Sequence, residues 1–130
     1  MLRAPIFFDD SDRTRFLAIL RQTAKTHGWT CHVYCLMPNH YHLVVQVSRP
    51  TLSRGMHRLN GVYARRFNER HGRVGHVFEA RFWSAEIEDD RQYAAVCLYV
   101  LQNPVRAGLC DAAADWPWSG GEMLRRWGIA

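Results

Sequence analysis

Two short runs rich in β-branched and aromatic residues, TCHVYCLM from Thr30 and HYHLVVQV from His40, stand with only Pro38 and Asn39 between them. Parallel strands need a crossover of a dozen or more residues, so strands joined by so short a turn pair antiparallel, as a hairpin. A lone hairpin is marginal in water, and the rest of the chain must cover it. Helical periodicity flanks it on both sides. Before it, Asp9, Asp10, Ser11 and Asp12 offer capping oxygens, and Phe16, Leu17, Leu20, Ala24 and His27 recur at helical spacing until Gly28, which predicts a helix from Ser11 to His27. After it, Leu52, Met56, Leu59, Tyr63 and Phe67 make an apolar stripe, while Arg54, Arg58 and Arg65 fall on another face of the same helix.

Farther along, Gly72 and Gly75 mark a loop, and the alternating segment from Val77 to Ile87 predicts a strand. Asp89 and Asp90 cap a third helix that runs to Asn103, where Pro104 ends it because the residue before proline avoids the α region. The tail, DWPWSGGEMLRRWG, reads as a Trp-rich turn and a short amphipathic piece. The order helix, strand, strand, helix, strand, helix predicts an α+β fold with helices on one face of an antiparallel sheet. One more strand in front would complete the β-α-β-β-α-β order of a ferredoxin-like fold, so the first strand is the missing one. With 130 residues, 48% of them hydrophobic, and no repeat or linker, the expectation is a single domain over 1–130. No run is long and apolar enough for a membrane span or a signal peptide, which predicts a cytoplasmic protein, with no membrane partner and with Cys31, Cys35, Cys97 and Cys110 reduced.

The charge is uneven. The formal net charge is +5, and Lys25 is the single lysine among 17 basic residues. Between Arg49 and Phe82, arginines 49, 54, 58, 65, 66, 70, 73 and 81 face only Glu69 and Glu79, a local excess of +6. Guanidinium grips phosphate through two parallel bonds, so the concentration suggests a surface for a polyanion. A solvated helix face and a GC-rich genome account for the same arginines. If Arg54, Arg58, Arg65 and Arg66 each neutralise a phosphate, log affinity against log salt has a slope of roughly −3 to −4.

Three patterns could carry chemistry. His40 and His42 lie two apart on a strand and so share a face, roughly 6.6 Å apart, which lets two imidazoles converge on one metal ion. Tyr99 and Asn103 lie one turn apart on the third helix, a nucleophile and an oxygen ligand on one face. Spacing alone is equally met by a core tyrosine and a helix-stop asparagine. A Cys2His2 zinc site from Cys31, Cys35, His40 and His42 is disfavoured, because the two cysteines stand roughly 13 Å apart along a strand.

Three blocks then point the same way: MPNHYHLVV (37–45), GHVFEARFWSAEIEDD (75–90) and CLYVLQNPVRAGL (97–109). With PIFFDDSDRTRFL near the start and DWPWS near the end, they resemble the REP-associated tyrosine transposases, IS200-like members of the HUH single-strand nuclease superfamily, from Pro5 to Ser119. The resemblance implies that His40 and His42 are metal ligands, that Tyr99 is the catalytic nucleophile, and that Asn103, with Gln102 as runner-up, completes the site. It implies single-stranded or hairpin DNA as partner, with cutting of the single strand beside the hairpin through a 5′-phosphotyrosine. Only about one tyrosine phenol in a thousand is ionised near neutral pH, so a cation that polarises the scissile phosphate has a clear use. Nitrogen and oxygen ligands suit Mg²⁺ or Mn²⁺.

Arg54, Arg58, Arg65, Arg66 and Arg73 would then grip the hairpin backbone, while Trp83, Trp116 or Trp118 would either stack unpaired bases or pack in the core. Similar proteins begin with a strand and an R-G-N turn ahead of the part matching Pro5-Ile6-Phe7-Phe8, which here lies almost at the start. A late-called start, a truncated gene copy, or a homodimer completing the sheet edge would each account for it. The alternative function is a non-catalytic hairpin-binding protein derived from such a transposase. A third is a small metallohydrolase using His40 and His42 on another substrate.

Overall fold

The computed structural model describes residues 4–78 and 82–126. Glu79 and Arg81, counted above in the charge balance, lie outside the described residues. The fold is α+β, with α1 (Asp10–His27), β1 (Trp29–Met37), β2 (His40–Val47), α2 (Leu52–His71), α3 (Asp90–Arg106), β3 (Ser119–Gly120) and α4 (Glu122–Arg126). Contacts divide it into two compact units, one of Met1–Trp29 with Val47–Ser84, the other of Thr30–Gln46 with Ala85–Ala130.

The first unit is a helix pair. The Asp9 side chain caps α1 by accepting from the Asp12 N–H, and Gly28 closes it in the left-handed conformation. The apolar stripes of α1 and α2 meet in an aromatic cluster in which Phe16 stands edge-on to Phe7 and to Tyr63 at 5.5 and 5.3 Å. The buried Tyr63 hydroxyl donates to the Ile6 carbonyl at 2.5 Å, tying the N-terminal segment to α2. Asp12 is buried at 1% exposure, yet it is satisfied: it accepts from the Phe8 N–H, from Arg70 at 2.8 Å and from His71 at 2.8 Å. Burial disfavours its charge, but those three donors outweigh burial and hold its carboxyl below the usual carboxylate range.

The second unit holds the sheet, a three-stranded antiparallel one in the order β2-β1-β3. Val33, Cys35 and Met37 alternate from β1 into a core completed by Val44 of β2, Cys97, Val100 and Leu101 of α3, and Met123 and Leu124 of α4. The cysteines are free thiols. Burial pushes the Cys31 thiol up to about 12.

Two expectations need correction. The segment from Val77 to Ile87 does not form the third strand over its described part: 82–88 has no regular structure and is exposed from Trp83 onward. Alternation suits a pleat, but a strand exists only where a neighbour accepts its ladder of hydrogen bonds. The third strand comes instead from the tail, where Ser119 pairs with Cys35 and Gly120 with Tyr34.

Nor does Pro104 end α3. The helix continues through it to Arg106, because Pro104 sits in the last turn with its ring buried and costs a single hydrogen bond. The stop is Gly108, whose φ of 75° closes the helix while Gly108 and Leu109 donate to the carbonyls of Val105 and Pro104.

Candidate active site

The strand and helix expected to carry the chemistry belong to the same unit. His40, His42 and Val44 share one face of β2 by the two-residue period. Val44 on that face packs into the core with Cys97, Val100 and Leu101 of α3, so the next turn of α3 arrives beside the histidines. The imidazoles of His40 and His42 stand edge to face with centres 4.9 Å apart. The Asn103 side-chain amide lies 3.5 Å from His40 Nε2. Gln102, the runner-up, is exposed.

Asn39, unassigned from sequence, fixes the tautomer. Its Oδ1 accepts from His40 Nδ1–H at 2.7 Å, which leaves Nε2 carrying the lone pair on the side facing Asn103. Burial first, and the Arg106 charge second, hold the His42 pKa below its ordinary value and favour the neutral ring that a metal requires. Two imidazoles on one divalent cation, with bonds of about 2.1 Å set roughly 90–110° apart, hold their ring centres about 4.6–5.3 Å apart. The observed 4.9 Å falls inside that range, and a half-turn of the Asn103 amide presents its oxygen in place of its nitrogen. The residues present therefore fit a divalent cation. Among the described residues there is no cluster of three or more His, Cys, Asp or Glu side chains that could hold a metal, so Cys31 and Cys35 do not join the histidines in a Cys2His2 site.

Tyr99 lies one turn before Asn103 on α3 and is 60% exposed, open to a macromolecular substrate. The Arg106 guanidinium lies 3.9 Å from the centre of its ring and donates to its carbonyl oxygen at 2.7 Å. Arg106 was not among the expected residues. It is seven positions after Tyr99, two turns along the same face, a spacing visible only once α3 is allowed to pass Pro104.

A further polar tie joins β1, α3 and β2. His32 of β1 is buried, and its ring bonds the Tyr93 hydroxyl of α3 at 2.6 Å and Gln46 Oε1 of β2 at 3.0 Å. The neutral ring with its proton on Nε2 satisfies both: it accepts from Tyr93 and donates to Gln46.

The expected DNA-contact arginines belong to the first unit. Arg54, Arg58, Arg65 and Arg66 project from α2 and Arg73 follows it; all five are exposed. Arg73 also lies 5.3 Å over the Phe8 ring. Arg70 is committed elsewhere, bonded to both Asp9 and Asp12. Of the tryptophans, Trp83 is 86% exposed, whereas Trp116 donates to the Leu36 carbonyl and packs on the core.

A family model described as IS200-like transposase matches residues 2–103. A curated protein of Haemophilus influenzae (strain Rd) that carries the name REP-associated tyrosine transposase is 27% identical over 115 residues, which cover 80% of this chain and 65% of that protein. The chain thus spans just under two thirds of that relative's length. Among solved structures, that of a REP-associated tyrosine transposase bound to a REP hairpin matches with a TM-score of 0.78 and 17% identity, over 100% of this chain and 76% of the other. That likeness shows the fold.

Proposed function

Because this chain belongs to the family of IS200-like transposases, we propose that it is a metal-dependent endonuclease and strand transferase acting on single-stranded DNA next to hairpins. The observation that carries the reading is the meeting of His40, His42 and Asn103 at the end of a helix whose preceding turn presents an exposed Tyr99.

In this reading His40, His42 and Asn103 hold Mg²⁺ or Mn²⁺. The bound cation would polarise the scissile phosphate and offset charge on its oxygens. Tyr99 loses its phenolic proton to water and its Oη attacks the phosphorus; the bond from phosphorus to the 3′ oxygen breaks, and that oxygen takes a proton from water to become a 3′-hydroxyl. The product is a 5′-phosphotyrosine, which keeps the bond energy for rejoining. Arg106 limits the freedom of the Tyr99 ring and keeps a positive charge beside it, where an incoming phosphate gains by it. Asn39 orients His40. The exposed arginines of α2 supply sequence-independent grip on the hairpin, the kind of ligand held by the solved relative. β2 has a neighbour on one side only in the described sheet, so a homodimer would pair along that strand.

The test is incubation of the chain with Mn²⁺ and a hairpin oligonucleotide carrying a labelled single-stranded flank. A covalent protein–DNA adduct should form, disappear in Tyr99→Phe, and be lost on chelation of the metal. Hairpin binding without an adduct would make the chain a non-catalytic hairpin binder. Cleavage that survives Tyr99→Phe would make it a hydrolase.

A further inference from the structure

Arg15 of α1 lies in one groove with Arg58 and Arg66 of α2. The groove has a volume of about 270 Å³, with Gln22 as a fourth polar group and Ala18 and Val62 among its apolar lining. Its residues come from matched stripes: 15, 18 and 22 recur along α1, and 58, 62 and 66 along α2. These stripes flank the core stripes instead of repeating them, since Phe16 and Leu20 of α1 and Leu59 and Tyr63 of α2 are buried.

The arginines of this unit divide by partner. Arg13 pairs with Asp10, and Arg70 with Asp9 and Asp12. Arg15, Arg58 and Arg66 have no carboxylate partner among the described residues, and no acidic side chain lines their groove. Three like charges around one concavity repel each other and gain by taking up a polyanion.

From this we infer that the groove between α1 and α2 binds the phosphodiester backbone of duplex DNA, with Arg15 as a contact in its own right. The proposal rests on the DNA-binding reading above and assigns the place where the paired stem is held. Duplex is favoured over single strand by what the groove lacks: single-stranded sites stack bases on aromatic rings, and among the described residues none lines this one. Guanidinium against backbone oxygens carries no base readout, so the grip is independent of sequence.

The experiment titrates the full chain, Arg15→Gln/Arg58→Gln, and the charge-matched Arg21→Gln/Lys25→Gln with a labelled duplex and a labelled single strand of equal length, by fluorescence anisotropy over a range of salt. Arg21 and Lys25 are exposed cations of α1 that do not line the groove. The groove variant should lose about 10- to 100-fold in duplex affinity, and its salt slope should become shallower by roughly 1.8, about 0.9 per phosphate contact. The matched variant should stay within about threefold of the parent, and scrambling the duplex sequence should change nothing. Glutamine keeps helix propensity close to that of arginine, and a circular-dichroism melt checks that each variant folds. Equal losses in the two variants would reduce the effect to net charge and overturn the groove; a larger loss on single strands would overturn the assignment to duplex. A parent chain that binds no DNA would overturn both this inference and the reading beneath it. A parent that binds while the groove variant is unimpaired would overturn this inference alone.

Discussion

At the scale of single residues, the candidate site is organised by hydrogen bonds among neighbouring side chains. Asn39 sets which nitrogen of His40 faces Asn103, and His32 is held by Tyr93 on one side and Gln46 on the other. Tyr93→Phe removes the donor to a buried imidazole nitrogen while leaving the ring packing of the pair, so it should cost about 1–3 kcal/mol of stability. Chemical denaturation followed by circular dichroism reads that loss, and an unchanged midpoint would mean that solvent reaches His32 Nδ1 in the native state. The sharing of a face by His40 and His42 was legible from strand periodicity, because it is a local property. The choice of Asn103 over Gln102 came from the family resemblance and not from spacing, since the partner Asn103 meets is 63 residues away.

Elements are decided by their ends and by the closest approaches between them. The helices and the hairpin were legible because capping oxygens, stripes and a turn pair are short-range signals; α1 begins at Asp10 against an expected Ser11. Proline misled the reading of α3, since a proline in the last turn costs little and a glycine in the left-handed region supplies the stop. A similar conflict between local preference and packing occurs at Gly55 of α2, where a Cβ would overlap the indole of the buried Trp29. Helix propensity favours alanine over glycine by about 1 kcal/mol, yet overpacking costs about 1–3 kcal/mol. Gly55→Ala should therefore lower the melting temperature, and Trp29→Phe in the same chain should recover part of the loss; a rise with Gly55→Ala alone would show that the ring shifts freely.

On the scale of the whole molecule, long-range ties set both stability and the charge left for a ligand. The Asp12 carboxyl is held below its unfolded value, so its contribution is complete above about pH 4 and is lost as pH falls through the folded-state pKa. Acid titration of the chain should show a steep loss of structure below about pH 4, and Asp12→Asn should flatten that limb while lowering stability at neutral pH; an unchanged acid limb would remove Asp12 as its cause. The same tie takes Arg70 out of the basic surface, across 61 residues to Asp9. Periodicity, turn chemistry and composition by themselves determined the α+β class, the hairpin and the amphipathic helices, because each is written within a few neighbouring positions. Tertiary structure alone decided that the third strand comes from Ser119–Gly120, that Arg106 covers Tyr99, and which arginines keep their charge unpaired among the described residues. Those outcomes depend on which distant groups packing brings within hydrogen-bonding reach, a distance that no window of sequence contains.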